Sequence, residues 1–214
     1  MKKVFSLLIF SLCLGCFCQV YGQSGNEKFR QHTGFYLSMS AGPAFGKITL
    51  DETRPYVESF EFSGTGGQLD IKIGGAVKEN LILHATMIST VLPGPKIKSS
   101  SHSGRASDDM SIDENMLLGG GLTYYIMPAN IFLSGSAGMG KYSFTYDNNS
   151  QNDISTNSGL SIQLKAGKEW WIGKRWGLGF AFTYGKTNLT NKGTDYDEKL
   201  NSNRFSILFN ATFN

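Results

Sequence analysis

Few residues in this 214-residue sequence combine the types and spacing that chemistry needs. His84 comes first, because it is the one histidine inside a stretch of regular alternation. As a general base it would need a hydroxyl on one side and a carboxylate on the other. If the turn Lys78-Glu79-Asn80 pairs Val77 with Leu81, His84 faces Gly74 and has Lys72 as its diagonal neighbour. Asp70 then lies opposite Ile88, too far along the strand to orient the ring. The hydroxyls of Ser38 and Ser40 could approach it only from the first strand, and nothing in the pattern forces them to. His84 reads first as a satisfied interior histidine and second as a catalytic base.

Asp70, Lys72, Gln163, Lys165 and Glu169 form the next set. Charges of both signs on one buried face must pair, since an isolated buried charge is costly. They read as a hydrogen-bonded interior network, with a gated ion path as the functional alternative. Asp108, Asp109, Asp113 and Glu114 form one acidic group, and Asp195, Asp197 and Glu198 another. Neither has the spacing of a dedicated calcium loop, so both read as solvated charge. Gly119-Gly120-Gly121 precedes no helix and is no phosphate loop. No catalytic, cofactor-binding or metal-ligating residue, and no cofactor, is therefore assigned.

The elements that carry these residues are strands. In the final stretch, Phe205, Ile207, Phe209, Ala211 and Phe213 fall on one face, with Ser206, Asn210 and Thr212 on the other. Leu208 is the apolar intruder on the polar face. That period of two belongs to a strand and not to a helix. It recurs from Phe35 to Gly42, from Gln68 to Val77, from Leu81 to about Val91 and from Met116 to Ile126. Ile131 to about Tyr146 repeats it, with a switch near Lys141 that suggests a bulge. Leu160 to Trp170 and Trp176 to Tyr184 complete eight strands with the terminal one. Met116 is expected on the apolar face of its strand with Leu118, Leu122, Tyr124 and Ile126. The stretches Lys47–Ser63, Pro93–Glu114, Asp147–Asn157 and Thr187–Asn203 lack the pattern and read as loops.

Composition agrees: 26 glycines, 13% aromatic residues, only 5 prolines and 17% charged residues suit strands and turns. Lys2 and Lys3 precede an apolar run from Val4 to Cys18, so residues 1–22 read as a signal peptide cleaved before Gln23. All the cysteines (Cys13, Cys16, Cys18) leave with it, which excludes disulfide and thiolate chemistry. The competing reading is a lipoprotein acylated at Cys16. Losing Lys2 and Lys3 lowers the formal charge from +3 to +1, so nothing points to a nucleic-acid partner. Residues 23–33 are expected to be a short, poorly ordered polar segment. Residues 34–214 form the remaining domain.

Three features decide which face is wet. The face opposite the apolar one is mostly Gly, Ser, Thr, Ala and Asn, which suits a crowded barrel interior better than a soluble exterior. Connections alternate short (Lys78–Asn80, Pro128–Asn130, Gly173–Arg175) and long. Trp170, Trp171 and Trp176 flank one short turn, where an interfacial girdle would lie. About ten residues at about 3.3 Å rise and roughly 40° tilt span about 25 Å, the height of a membrane barrel's apolar band. Only Lys141 and Lys168 charge the proposed lipid face, both near strand ends where they can reach the headgroups.

With its signal peptide, strand count, loop pattern and terminal Phe213, the chain resembles the small outer-membrane barrels of the OmpA/OmpX class. The resemblance implies an all-β, eight-stranded antiparallel up-and-down transmembrane barrel in the cell outer membrane, with no peptidoglycan-binding domain after it. It implies contact with outer-membrane lipid and lipopolysaccharide, and with the barrel assembly machinery through the C-terminal strand. Pro93–Glu114 and Thr187–Asn203 are expected outside, and a surface ligand through such loops is the expected partner. The role expected is structural or surface-interacting and not enzymatic. The alternatives are a lipid-modifying enzyme of the lipid A deacylase or acyltransferase type using His84, and a narrow pore.

Overall fold

Alternation along each strand dictates closure, because a sheet apolar on one face and polar on the other can hide the polar face by curling round it. The computed structural model describes residues 30–54, 58–107, 109–146, 154–193 and 196–214. The expected signal peptide lies outside these residues, as do Asp108 and Asp195. Eight long strands form the wall: β1 (Phe35–Glu52), β2 (Phe60–Lys78), β3 (Leu81–Pro93), β6 (Ser111–Ile126), β7 (Ile131–Thr145), β9 (Gly159–Trp171), β10 (Trp176–Lys192) and β11 (Asp197–Phe213). Three short pieces, β4 (Lys96–Lys98), β5 (Ser103–Arg105) and β8 (Ile154–Ser155), attach to its rim. The order round the wall is β1-β11-β10-β9-β7-β6-β3-β2, and β2 pairs with β1 to close it. Every pairing is antiparallel.

The wall is inside out relative to a soluble barrel. Met39, Leu69, Ile73, Leu83, Met87, Leu122, Leu133, Leu164, Phe180, Phe182, Ile207 and Phe209 are all exposed on its exterior. Ser38, Ser40, Asp70, Lys72, His84, Thr123, Lys165, Asn210 and Thr212 are buried within it. An apolar belt this continuous fits a lipid surround and no aqueous one. The fold is a transmembrane β-barrel.

Toward the long-loop end the pattern keeps its period and inverts its phase. On β1, outward Phe45 gives way to Lys47 and Thr49, while inward Ser40 gives way to Ile48 and Leu50. On β10, outward Phe182 and Tyr184 give way to Lys186 and Asn188, with Leu189 inward. On β7, Lys141 and Ser143 face out while Tyr142 and Phe144 are buried. Ile48, Leu92, Met110, Ile112, Tyr142, Phe144, Leu189 and Leu200 form one core there, with Leu50, Phe62 and Ala106 against it. The wall therefore continues past the apolar belt into a water-soluble β-cap.

This corrects the expected loops. Of Thr187–Asn203, residues 187–192 and 197–203 are paired strand, from Thr187↔Ser202 to Lys192↔Asp197. Within Lys47–Ser63, Lys47–Glu52 belongs to β1 and Phe60–Ser63 to β2. Pro93–Glu114 contains the β4–β5 hairpin and the first four residues of β6. In Asp147–Asn157, Ile154 and Ser155 pair with β7. The switch near Lys141 is no bulge: β7 alternates without a break, and the irregularity lies on β6 between Met116 and Leu118. It turns Met116 inward (1% exposed), while Leu117 and Leu118 both face out. A second irregularity, at Val77, pairs Lys78 with Leu81 instead of Val77, yet Gly74↔His84 holds.

Candidate functional site

The lumen holds the residues singled out from the sequence, and the strands deliver them in layers. At the short-turn end Tyr36, Ile82, Tyr125, Phe132 and Ala181 close the bore. His32 seals this layer from below. Its ring stacks on Tyr125 at 3.4 Å and tilts against Trp171 at 4.9 Å, and Nε2–H donates to Asn130 Oδ1 at 2.8 Å. His32 and Asn80 share two further bonds: Asn80 N–H donates to the His32 carbonyl at 3.0 Å, and His32 N–H donates to the Asn80 side-chain Oδ1 at 3.2 Å. Burial pushes the His32 pKa below its ordinary 6.5, against the opposing bond to Asn130. The end of the expected disordered segment is thus a fitted stopper. Trp171, expected in the outer girdle, turns toward His32, while Trp170 and Trp176 stay near the exterior, beside Lys168 and Phe213 respectively.

Above this stopper lies the charged network. Lys165 Nζ donates to Asn210 Oδ1 (2.8 Å) and Ser40 Oγ (2.5 Å) and reaches Asp70 Oδ2 at 3.4 Å. Lys72 Nζ donates to Ser134 Oγ (3.0 Å) and Ser136 Oγ (3.3 Å), and lies 3.9 Å from Asp70. Glu169 Oε1 accepts from Asn210 Nδ2 (2.6 Å), Thr212 Oγ1 (2.7 Å) and Tyr125 Oη (3.3 Å). β9 and β2 stand four strands apart in either direction, so Lys165–Asp70 is a strut across the bore. Gln163, expected in this network, has neither amide atom bonded to a protein group. Its register partners are Ser136 and Gly185, both too small to reach it.

His84 sits where the hairpin register put it, opposite Gly74. Nδ1 and Thr86 Oγ1 are 2.8 Å apart, Nε2 and Thr123 Oγ1 3.0 Å. No carboxylate touches the ring among the described residues, and Ser38 and Ser40 both turn to Asn210 instead. Glycines make room for it: a Cβ on Gly121 would lie 2.8 Å from His84 Cε1 and 2.2 Å from the Gly135 carbonyl. The upper bore is crossed by Arg204 and Glu114, an ion pair joined by Ser202 Oγ, which donates to Glu114 Oε1 at 2.9 Å.

The acidic clusters separate. Glu114 faces inward to Arg204, while Asp197 and Glu198 lie at the rim. Among the described residues no group of His, Cys, Asp or Glu is arranged to hold a metal ion. Of the lipid-face cations, Lys168 donates to the Ala129 carbonyl at 2.7 Å beside the short turn, and Lys141 sits at the foot of the cap. Asn210, Ser134, Ser136, His32 and the Glu114–Arg204 pair escaped the sequence reading. Asn210 carried the clearest signal, as a full-sized amide on the interior face of the terminal strand.

No family model matches the chain. No curated protein matches it either. Solved structures do. Neisserial surface protein A is 12% identical, with 85% of this chain and 97% of that one covered at a TM-score of 0.52. Outer membrane protein OprG from Pseudomonas aeruginosa gives the same figures. At that identity the likeness is one of fold. The chain is similar to small outer-membrane eight-stranded barrels, and its own wall is closed by the same number of antiparallel strands.

Proposed function

We propose that this is a resident outer-membrane barrel of non-enzymatic role, which holds a rigid β-cap above the membrane as an interaction surface. One observation carries the reading: the wall outgrows its apolar belt and builds a second core from Ile48, Ile112, Tyr142, Leu189 and Leu200. Spanning a membrane does not require that core. A preformed, rigid surface lowers the entropy cost of binding a partner. Two further contacts support a cap with fixed shape. Glu58 accepts from Ser101 N–H and Oγ, tying the β1–β2 connection to the β4–β5 hairpin. The Ser99 and Ser101 hydroxyls hold its carboxyl below the usual range.

The partners that go with this reading are outer-membrane lipid and lipopolysaccharide along the belt, the assembly machinery at β11 and a surface ligand at the cap. The enzyme reading is disfavoured by His84, whose ring nitrogens are both occupied by threonine hydroxyls deep in the bore. A pore is disfavoured by the apolar layers at both ends of the charged network. The test separates membranes of cells expressing the tagged chain and then applies protease to intact cells. Recovery with the outer membrane, with cap epitopes accessible from outside, is expected. Recovery in the inner membrane or the periplasm would end the proposal.

A further inference from the structure

The barrel exterior is indented where β3 ends. Pro93-Gly94-Pro95 makes a corner there, with Gly94 at a φ of 50° that side chains rarely adopt. The chain leaves β3 and returns as β4, which takes the place beside β2 through Ser63↔Lys96, Phe62↔Ile97 and Glu61↔Lys98. Arg105 Nε–H donates to the Gly94 carbonyl at 3.1 Å, and Ala106 N–H to the Pro95 carbonyl at 2.9 Å, which fixes the hairpin on the corner. Between this hairpin and the outer faces of β2, β1 and β11 lies a cleft of about 540 Å³.

The cleft is two-sided in chemistry. Phe45 and Phe205, both exposed, line its lower part and continue the apolar belt. Lys47, Lys96 and Arg105 line its upper part, and no acid is among the lining residues. Glu61 reaches Lys47 from outside the lining at 2.6 Å. The join between aromatic and cationic halves falls at the height where β1 changes its outward residue from Phe45 to Lys47, the top of the belt. A lipid in the adjoining leaflet would therefore have its chains beside the phenyl rings and its headgroup beside the cations.

We infer that this cleft is a binding site for a phosphate-bearing lipid of the leaflet on the cap side. Its phosphate lies among Lys47, Lys96 and Arg105, and an acyl chain lies along Phe45 and Phe205. Charge complementarity and continuity with the belt select this occupant. A purely apolar ligand would not use the cations, and a free anion would not use the phenyl rings. The inference rests on the membrane reading and names the lipid chemistry that one part of the wall takes. Ammonium-to-phosphate contacts are charge-assisted and gain strength beside apolar surface.

The test uses the full chain refolded in detergent, titrated with bis-phosphorylated lipid A and followed by native mass spectrometry. Wild type is expected to retain one lipid adduct. Lys47→Gln/Lys96→Gln is expected to bind about tenfold more weakly, whereas Lys78→Gln/Lys174→Gln, at the short-turn end, binds as wild type. Lys96→Glu alone, an exposed change on β4, keeps the test open if the double variant refolds poorly, and it too must weaken binding. Equal retention of a lipid with the same chains and no phosphate would overturn the inference. So would displacement by inorganic phosphate at the same concentration, which would make the site one for free anion. Binding unchanged in the double variant, or in Lys96→Glu, would also overturn it. Because the readout is made in detergent, such failures leave the outer-membrane reading untouched, and cell fractionation tests that separately.

Discussion

Glu114 on β6 and Arg204 on β11 pair across the full width of the barrel, four strands apart by either route round the wall. Both side chains are almost wholly buried, so the pair works as a strut just beneath the cap. Breaking such a pair costs more than forming it gains, because the survivor is a buried charge without its counter-ion. Arg204→Met alone should therefore destabilise the barrel by about 3–5 kcal/mol. Glu114→Leu/Arg204→Met should recover most of that loss. Urea titration of the refolded protein in lipid vesicles measures both. A double variant no better than the single would show that the ion pair is not the source of the loss.

His84 should prove to be a packing residue. His84→Gln keeps one donor and one acceptor for Thr86 and Thr123 and should cost about 1 kcal/mol, the scale of a hydrogen bond. Gly121→Ala should cost more, since its Cβ meets the Gly135 carbonyl as well as the imidazole, while Gly104→Ala, with open space around it, should be silent. If assays of lipid A and phospholipid turnover find activity in wild type that His84→Gln removes without loss of folding, the enzyme alternative is reinstated.

How visible a residue is in the sequence depends on the phase of its strand and on whether its partner is local. The belt strands were legible because outward Phe and Leu against inward Ser and Gly keep one phase over eight or more residues. One register followed from a tight turn, Gly74↔His84, which holds although Leu81 pairs with Lys78 and not with Val77. The cap strands were missed because outside the lipid the same period carries the opposite phase. Lys47-Ile48-Thr49-Leu50 alternates as cleanly as Phe35-Tyr36-Leu37-Ser38, but its apolar residues point inward. In sequence, the inversion around Tyr142 looks the same as a bulge, since both change which residues carry the apolar phase. Cross-bore partners such as Glu114 with Arg204 were not legible, since strands that stand opposite in a barrel leave no local trace in sequence.

The bore should not conduct. Tyr36, Ile82, Tyr125 and Phe132 fill its short-turn end, and the cap core fills the other. Eight strands leave room only for their own side chains. Planar bilayers containing the pure protein should show no stable large unitary conductance. A steady channel of that kind from the monomer would contradict the packing described above.

The stopper at the short-turn end should give the barrel an acid-sensitive step. His32 is buried neutral, with a folded-state pKa below the 6.5 of the exposed side chain. Above that pH neither state binds the proton and the full stabilisation is present. As pH falls below 6.5 the unfolded chain takes up the proton first, so stability declines until the folded pKa is reached. His32→Gln should flatten that part of the pH–stability curve while retaining some of the contact to Asn130. Denaturant midpoints for wild type and variant between about pH 7.5 and 5 provide the check. Parallel curves would remove His32 from the account.

The cap should unfold apart from the belt. Leu200 is fully buried among Ile48, Ile112, Tyr142 and Leu189, above the Glu114–Arg204 strut and clear of the lipid-facing wall. Leu→Ala in a packed core costs about 2–5 kcal/mol, with the spread set by how far the site can collapse. The strands below the strut have a second source of stability, their apolar exterior in lipid, which this change does not touch. In Leu200→Ala, amide exchange should therefore quicken across residues 187–192 and 197–203, while Leu178–Tyr184 keeps its protection. Replacing Ser99–Asp109 with a short Gly/Ser turn should be milder, because Ile48, Leu92, Ile112 and Leu200 keep their places when the hairpin goes. That variant should insert and run as a folded species in unheated gels, while surface-binding phenotypes fall. Uniform loss of protection in Leu200→Ala, from cap to short turns, would mean that cap and belt fold as one unit. The cap could then not be altered without cost to insertion, and the separation of scaffold from binding surface would fail.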